Sequence, residues 1–491
     1  MILPREFVVD SFAGGGGASS GMERALGRSP DVAINHDAVA ISVHRMNHPE
    51  CRHYTEDVWQ VKPREAVGNN PVGLMWLSPD CTHFSRAKGG RPVSRKIRGL
   101  AWVAVRWADQ VGPRVLCLEN VPEFITWGPL GPDGRPASKQ KGLTFKQFTG
   151  RLRNLGYQVE WRTLRAADFG APTTRTRLFL VARRDGEPVR WPEPTHGSGR
   201  RLPWRTAAEC IDWSLPCPSI FDRQRPLAEN TLRRIAAGIR RFVLESPRPF
   251  IVNLRGTEPS HLDASADAIS APLRAVAAQG GHAALVAPSL IQTGYGEREG
   301  QAPRVLDLHR PLGTVVAGGL KHGLVAAYLA RHFTGVAGRG LREPVPTVTA
   351  VDHHSLVTAQ LGDVADRQEQ VRAFLMKFYS EGGQWASLND PMHTITGKHR
   401  MGLVTVHGVD YAITDIGMRM LQPRELFNAQ GFDRDYEIEH GINDAGEIVS
   451  ITKTAQVRLC GNSVAPNMAD AIVSAQFGGD YEMDLFTTAA A

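Results

Sequence analysis

Two residues with the means to do chemistry stand at comparable places. Cys81 lies in the run Ser78-Pro79-Asp80-Cys81-Thr82-His83-Phe84-Ser85, just after an apolar stretch, and Glu119 lies in Leu118-Glu119-Asn120-Val121, at the end of another. A thiolate is a strong nucleophile, and a positioned carboxyl group can hold or deliver a proton. A thiol paired with a strand-end carboxylate suits covalent chemistry on a nitrogen heterocycle. Taken alone, Cys81 fits an inert buried thiol better, since free cysteine is among the most buried residue types. The case for reactivity therefore rests on its companions.

The elements that must position these groups are short. Val72-Gly73-Leu74-Met75-Trp76-Leu77 and Arg114-Val115-Leu116-Cys117-Leu118 are apolar runs closed by proline or polar residues, the pattern of strands in a parallel sheet covered on both faces. Both candidates thus fall at carboxyl ends of strands, the edge where open α/β sheets bind ligands. Phe7-Val8-Val9-Asp10-Ser11-Phe12 is a further strand, and Ala13-Gly14-Gly15-Gly16-Gly17-Ala18-Ser19-Ser20-Gly21 leads from it into a helix carrying Met22, Ala25 and Leu26 on one face. Such glycines allow a sharp turn and close approach of a ligand to helix-start N–H groups, although a tight strand-to-helix turn with no ligand has the same pattern. A nicotinamide cofactor is less apt, because the spacing is not a clean G-x-G-x-x-G. Val32-Ala33-Ile34 ends at Asn35-His36-Asp37, where a ribose-binding polar residue is expected. Tyr54-Thr55-Glu56-Asp57-Val58 puts an acid near the end of a third strand; an exposed loop carboxylate is the alternative for each.

Six motifs in order resemble the DNA cytosine-5 methyltransferases: Asp10-Ser11-Phe12-Ala13-Gly14-Gly15-Gly16, Cys81 with Phe84-Ser85, Glu119-Asn120-Val121, Arg175-Thr176-Arg177, Arg424-Glu425 and Gly461-Asn462-Ser463-Val464. The likeness covers roughly residues 7–184 and 419–477. It implies that Cys81 adds to cytosine C6, that Glu119 contacts the N3/N4 edge, and that Arg175 and Arg177 are the paired arginines, one of which contacts O2. It also implies S-adenosylmethionine as cofactor. Phe12 would stack near the adenine, and the Gly14–Gly17 turn would approach the methionine part. Asp57 and Val58 would contact the adenine, and Asn462 and Ser463 would close the pocket. Asp10, Ala13, Gly14, Gly15, Gly16, Asn35 and His36 complete the cofactor set, with no metal ligand among these residues. The target base must be flipped out of its duplex, at a cost of a few kcal/mol.

The chain departs from the family pattern at several positions. Asp80 and Thr82 flank Cys81 where the family shows Pro-Cys-Gln, Thr173 replaces the usual glutamine, and Asn35 stands at the ribose acid. An acid beside a thiol raises its pKa. These differences mark a divergent subfamily, for which transfer of a modified methyl-like group and action on RNA cytosine are the alternative readings.

The implied fold is α/β: a Rossmann-like methyltransferase sheet with helices on both faces, plus an inserted, mostly β target-recognition domain with imperfect repeats. The expected division is a catalytic and cofactor-binding domain over 1–196, a recognition domain over 197–454, and a segment over 455–491 that returns to the catalytic domain. With 491 residues and 42% hydrophobic content there is material for two or three cores. The net charge of +7 and pI near 9.2 favour a polyanionic partner, here double-stranded DNA, with a cognate restriction endonuclease as a possible companion. Cys51, Cys81, Cys117, Cys210, Cys217 and Cys460 show neither a disulfide framework nor paired zinc spacings. With neither a signal peptide nor an apolar run of spanning length, the expectation is a cytoplasmic monomer that does not engage membranes.

Within the insertion, residues 229–244 have helical spacing with Leu232, Ile235, Ile239 and Phe242 on one face and Arg233, Arg234, Arg240 and Arg241 beside it. That basic face suits either solvent or phosphate. Four imperfect strand-turn-strand units follow, at about 250–286, 289–325, 328–357 and 374–404, marked by Pro272-Leu273-Arg274-Ala275-Val276 and its counterparts at Pro311, Pro344 and Pro391. Their loops begin at Asn253, Gln292, Arg331 and Lys377; they are either solvated turns or contacts to base edges. Further on, residues 419–430 read as a helix carrying Arg424-Glu425, a hairpin is expected around Asn443-Asp444-Ala445-Gly446, and a last helix over 467–477.

Overall fold

The computed structural model describes residues 2–81, 84, 99–132, 134–212 (207 and 208 by their backbone), 214–216, 218–227, 232, 235 and 421–478, together with the backbone of nine strands between residues 251 and 420 and, in the last of them, the side chains of Ile416 and Arg419. The catalytic sheet is formed by β1 (Phe7–Ser11), β2 (Val32–Ile34), β3 (Arg52–Tyr54), β4 (Val72–Leu77), β5 (Val115–Asn120), β6 (Gln158–Arg165) and β7 (Thr176–Arg183). Their order is β3-β2-β1-β4-β5-β7-β6, with β7 antiparallel to both its neighbours and the first five strands parallel. Strand order reverses between β1 and β4, so the crevice beyond their carboxyl ends is the natural ligand site of such a sheet.

Every residue of β4 and β5 is buried, which is why these strands read as continuous apolar runs. Alternate side chains enter different cores. Val9, Met75, Leu77, Leu116 and Leu118 pack with α4 (Trp102–Gln110) and α5 (Leu143–Asn154), the fourth and fifth helices after α1 (Gly17–Leu26), α2 (Ala38–Asn47) and α3 (Pro63–Val67). Val8, Leu74, Trp76 and Val115 pack on the other face with Ala18 and Met22 of α1 and with Met468, Ile472 and Val473 of the last helix. That helix spans Pro466–Phe477, one residue earlier at its start than the sequence spacing indicates.

The strands of the insertion are β8 (Ile251–Val252), β9 (Ala283–Leu285), β10 (Ser289–Gln292), β11 (Val305–Leu306), β12 (His322–Arg331), β13 (Gly338–Arg339), β14 (His354–Gly362), β15 (Leu403–Val406) and β16 (Val409–Met420). They form one antiparallel sheet along β11-β10-β12-β14-β16-β15, with β9 and β13 also paired to β12 and β8 to β13. β12 runs unbroken through Leu324-Val325 and Tyr328, which the sequence pattern divides between two units. It does so because it pairs with β10 from His322 to Val325 and with β14 from Val325 to Arg331, so ladder continuity overrides the repeat boundary. The expected 229–244 helix (apart from Leu232 and Ile235), the strand near Phe374, the proline-led turns, the loops beginning at Asn253, Gln292, Arg331 and Lys377 apart from the backbone of Gln292 and Arg331, and the tail from Thr487 lie outside the described residues.

After β16 come α6 (Pro423–Gln430), the hairpin β17 (His440–Ile442) and β18 (Ile448–Ser450), α7 (Lys453–Asn462) and α8, the Pro466–Phe477 helix. Arg419 belongs to β16 and not to a helix; α6 starts four residues later, where Pro423 can occupy the first turn and Gln422 and Glu425 cap reciprocally. Residues 421–452, placed with the inserted domain on sequence, pack on the catalytic helices. Arg24 bonds Gly431 O and Asp433, Asn47 pairs with the backbone of Glu437, and Arg45 reaches Ile442 O and Asp444.

Candidate active site

Cys81 is held at the end of β4 by backbone pins. Ser78 N donates to Ser11 O at 3.2 Å, Trp76 Nε1 donates to Ser78 Oγ, and Asn120 Nδ2 donates to Pro79 O at 3.0 Å. The last of these ties the nucleophile's turn to the strand that carries Glu119, so the two strand ends move as one. Asn120 was noted in sequence only as part of a motif; its buried amide is what supplies this tie.

Glu119 faces β7, where Arg177 Nε lies 3.0 Å from its Oε1 and Arg175 Nη2 lies 3.9 Å away. Both arginines reach this spot because β7 runs antiparallel to β5, with Asn120 opposite Leu178. Arg175 also donates to Gly461 O at 3.0 Å, which brings the end of α7 to the site. Thr173, at the family's glutamine position, accepts from Arg175 N. The Glu119–Arg177 contact is close but oblique. Among the described residues, Glu119 Oε1, Arg175 Nε, Arg177 Nε and the neighbouring Thr174 Oγ1 are buried without a hydrogen-bond partner. Buried polar groups are nearly always satisfied, so these four atoms have capacity for polar groups of a ligand. Phe179, Val464, Ala465 and Met468 line the space beside it.

The electrostatics show that the thiol shares this environment. Burial pushes the Cys81 thiol up, Arg177 and Arg175 pull it down, and Glu119 and Asp80 push it up again. Burial, then Arg177, pushes Arg175 down to about 9, which leaves it a cation at neutral pH. The site holds a nucleophile, an acid and two cations within electrostatic reach of one another.

The glycine turn divides into two functions. A Cβ on Gly16 would lie 2.0 Å from the Tyr436 hydroxyl, one on Gly17 2.1 Å from Val464 O, and one on Gly21 2.3 Å from Pro466 O. These glycines admit the C-terminal segment, and Tyr436, which sequence reading missed, donates to Gly15 O at 2.7 Å. Gly15 faces Leu459 and Ser463. Gly14, at φ +45°, would meet only Phe12 O at 3.8 Å, so it is the position open to a ligand. Phe12 itself has φ 66°, a left-handed conformation rare for a bulky residue and often stored at a functional site.

The other cofactor candidates gather around the same edge. Ala13 N donates to Ile34 O, and Asn35 N donates to Tyr54 O. The Asn35 side chain accepts from Asp37 N, and Asp37, at the N-cap of α2, pairs with Arg458. His36 is exposed. Asp57 caps the following turn through Trp59 N, while Val58 is buried in the core. Asn462 is exposed and Ser463 buried, with Ser463 Oγ donating to Leu459 O. Asp10 points inward: burial pushes its carboxyl up to about 7, and Oδ2 accepts from Ser19 Oγ at 2.7 Å. It supports the turn from beneath.

Arg424 does not pair with Glu425. It donates to Tyr436 O, and Glu425 instead takes two 2.8 Å bonds from Arg419. Neighbours in a helix point to different sides, so sequence adjacency could not settle the pairing.

Comparison with known proteins agrees with this geometry. The family model for C-5 cytosine-specific DNA methylase matches residues 7–209 and 351–477. Type II methyltransferase M.NaeI of Lentzea aerocolonigenes is 34% identical over 200 residues, 38% of this chain and 43% of the relative. M.AquIA of Picosynechococcus is 30% identical over 227 residues, 42% of this chain and 87% of the relative. M1.HphI of Haemophilus parahaemolyticus is 28% identical over 193 residues, 38% of this chain and 48% of the relative. The chain thus spans under half the length of M.NaeI and M1.HphI. With most of its length covered by the family model, and with the thiol, acid and paired arginines brought to one sheet edge, the chain belongs to the C-5 cytosine-specific DNA methylase family.

Proposed function

We propose that this protein is a DNA cytosine-5 methyltransferase that acts on a base flipped out of duplex DNA. The convergence of Cys81, Glu119, Arg175 and Arg177 at the ends of β4, β5 and β7 carries the reading. The Cys81 thiolate adds to C6, and the ring electrons make C5 nucleophilic. Glu119 holds the N3/N4 edge as N3 gains electron density, and of the paired Arg175 and Arg177 one contacts O2 and helps orient the base. S-adenosylmethionine, when bound, supplies an electrophilic methyl group for C5. Loss of the C5 proton then re-forms the ring double bond and expels Cys81.

The residues present fit that cofactor. Gly14 leaves an unobstructed approach beside the left-handed turn at Phe12, with Asn35, His36, Asp57 and Val58 at the ends of the adjoining strands to hold its polar and adenine parts. Asn462 and Ser463 abut the turn from the C-terminal side, as the contact of Ser463 with Gly15 supports.

Residues between 251 and 420 serve as the target-recognition domain, inserted between the catalytic sheet and its C-terminal segment, with the loops at Asn253, Gln292, Arg331 and Lys377 contacting DNA. The protein works as a cytoplasmic monomer, and a cognate restriction endonuclease is its expected companion. Among the described residues, no helix is long and apolar enough to cross a membrane.

The test is to incubate the protein with methyl-labelled S-adenosylmethionine and mixed-sequence duplex DNA, then to identify the nucleosides. Labelled 5-methylcytosine in DNA supports the reading. Label confined to RNA in a parallel incubation, or no cytosine product, overturns it. Arg331→Ala and Lys377→Ala should weaken DNA binding, and unchanged affinity and site preference in both would remove those loops from recognition.

A further inference from the structure

Behind the glycine turn, on the side away from Cys81, lies a buried cluster that the proposed reaction does not use. His44 on α2 is fully buried, Cys51 precedes β3 and is 5% exposed, and His53 within β3 is half-buried. One nitrogen from each histidine and the Cys51 sulfur lie within 4.8 Å of one another. The cysteine spacing alone offers no zinc pattern; the fold supplies the missing ligands by laying α2 back along β3.

The hydrogen bonds around His44 decide which of its nitrogens is available. Ser19 has a single hydroxyl proton, and Ser19 Oγ donates it to Asp10 Oδ2 at 2.7 Å. The contact of Ser19 Oγ with His44 Nε2 at 2.8 Å must then be filled by the proton of Nε2. In a neutral imidazole one ring nitrogen carries the proton and the other is an acceptor. His44 Nδ1 therefore presents a lone pair, and it faces His53 Nε2 at 2.8 Å.

We propose that His44 Nδ1, His53 Nε2 and Cys51 Sγ form a binding site for a divalent cation of the zinc class. Two histidines and a thiolate are a common donor set for zinc, and a water completes the four-coordinate shell. With zinc–nitrogen bonds of about 2.0–2.1 Å and a zinc–sulfur bond of about 2.3 Å, tetrahedral geometry needs the two nitrogens about 3.3 Å apart and each about 3.6 Å from the sulfur. The rings must separate by about 0.5 Å, and the three donors, which lie within 4.8 Å of one another, must close around the cation. The cation replaces the proton that the two rings otherwise share. It also displaces the thiol proton of Cys51 to solvent, so binding releases protons. Asp10, acting through Ser19 on the far nitrogen of His44, is the carboxylate partner that fixes the tautomer of a metal-bound histidine. It also offsets the net positive charge of the buried complex. Ser19 is thus a positioning residue for this site.

The experiment uses the full chain, stripped with a chelator and titrated with Zn²⁺ against a chromophoric competitor, and in parallel with Co²⁺. The expected result is one equivalent of zinc, with a cobalt spectrum showing tetrahedral d–d bands and a thiolate-to-metal charge-transfer band. Cys51→Ser should lose that band, and Ser19→Ala should weaken zinc binding by about 10–100-fold. Cys210→Ser, a buried cysteine outside the cluster, should keep both stoichiometry and spectrum. Since Cys51 is buried, His53→Gln at the half-buried ligand is measured beside it. A folded His53→Gln protein that binds zinc as tightly as the wild type overturns the site, as does a wild-type protein that binds no equivalent or a cobalt band that survives in Cys51→Ser. None of these readouts depends on methyl transfer.

Discussion

Two buried Arg–Glu pairs in this protein look alike on paper and differ in how fully they are bonded. Glu425 takes two 2.8 Å bonds from Arg419 and also accepts from Gln422 N and Asp212 N, while Arg419 donates onward to Asp212 O. Every lone pair is engaged, and the pair ties β16, α6 and the 207–212 segment together. Glu119 by contrast meets Arg177 obliquely, and its Oε1 accepts no hydrogen bond. Burial is the same; satisfaction is not. A completed pair is a fastening, and an incomplete one in an otherwise well-packed edge is a receptor for a ligand that completes it.

The sharpest way to test the receptor side is Cys81→Ser. Turnover should vanish while DNA binding survives, measured by methyl incorporation and by gel shift; undiminished turnover would remove Cys81 as the nucleophile. Next, Glu119→Gln should lower turnover by about 10²–10⁴-fold, the usual contribution of a positioned acid or base. On the fastening side, Glu425→Ala strands Arg419 in the interior and should cost about 3–5 kcal/mol in denaturant unfolding. Glu119→Gln, losing one oblique contact, should cost clearly less. Equal losses would erase the distinction between the two pairs.

Smaller effects follow at the edges of the comparison. Tyr436→Phe leaves Gly15 O without its donor and should destabilise by about 1–3 kcal/mol, with little change in the chemical step under saturating cofactor. Asp80→Asn acts on the thiol. Asp80 raises the Cys81 pKa, so its removal lowers that pKa, enlarges the thiolate fraction on the acid side, and should move the acidic limb of the pH–rate profile to lower pH. A limb that stays in place would show that Asp80 does not face the thiol during turnover.

Much of the catalytic half is legible in the residues. β4 and β5 announce themselves as uninterrupted apolar runs because both faces of the sheet are covered, and the places of Cys81 and Glu119 follow from where those runs stop. The glycine turn is also visible, but its purpose is not. Gly16, Gly17 and Gly21 are small so that Tyr436, Val464 and Pro466 can approach, and only Gly14 is left open. Nothing within residues 13–21 records contacts made by residues more than four hundred positions later. The repeat pattern of the insertion likewise marks strands without their extent, since β12 continues along the hydrogen-bond partners that β10 and β14 offer it in turn.

The sequence by itself determined the order of the chemical groups, the strand ends that present them and the α/β class, because apolar runs, turns and motif spacing are properties of neighbouring residues. Tertiary structure alone decided that Glu425 belongs to Arg419 and not to Arg424, that Asn120 pins the turn of Cys81, and that His44, Cys51 and His53 meet behind the cofactor edge. These depend on side-chain direction and on packing between distant segments. Local periodicity carries no record of either.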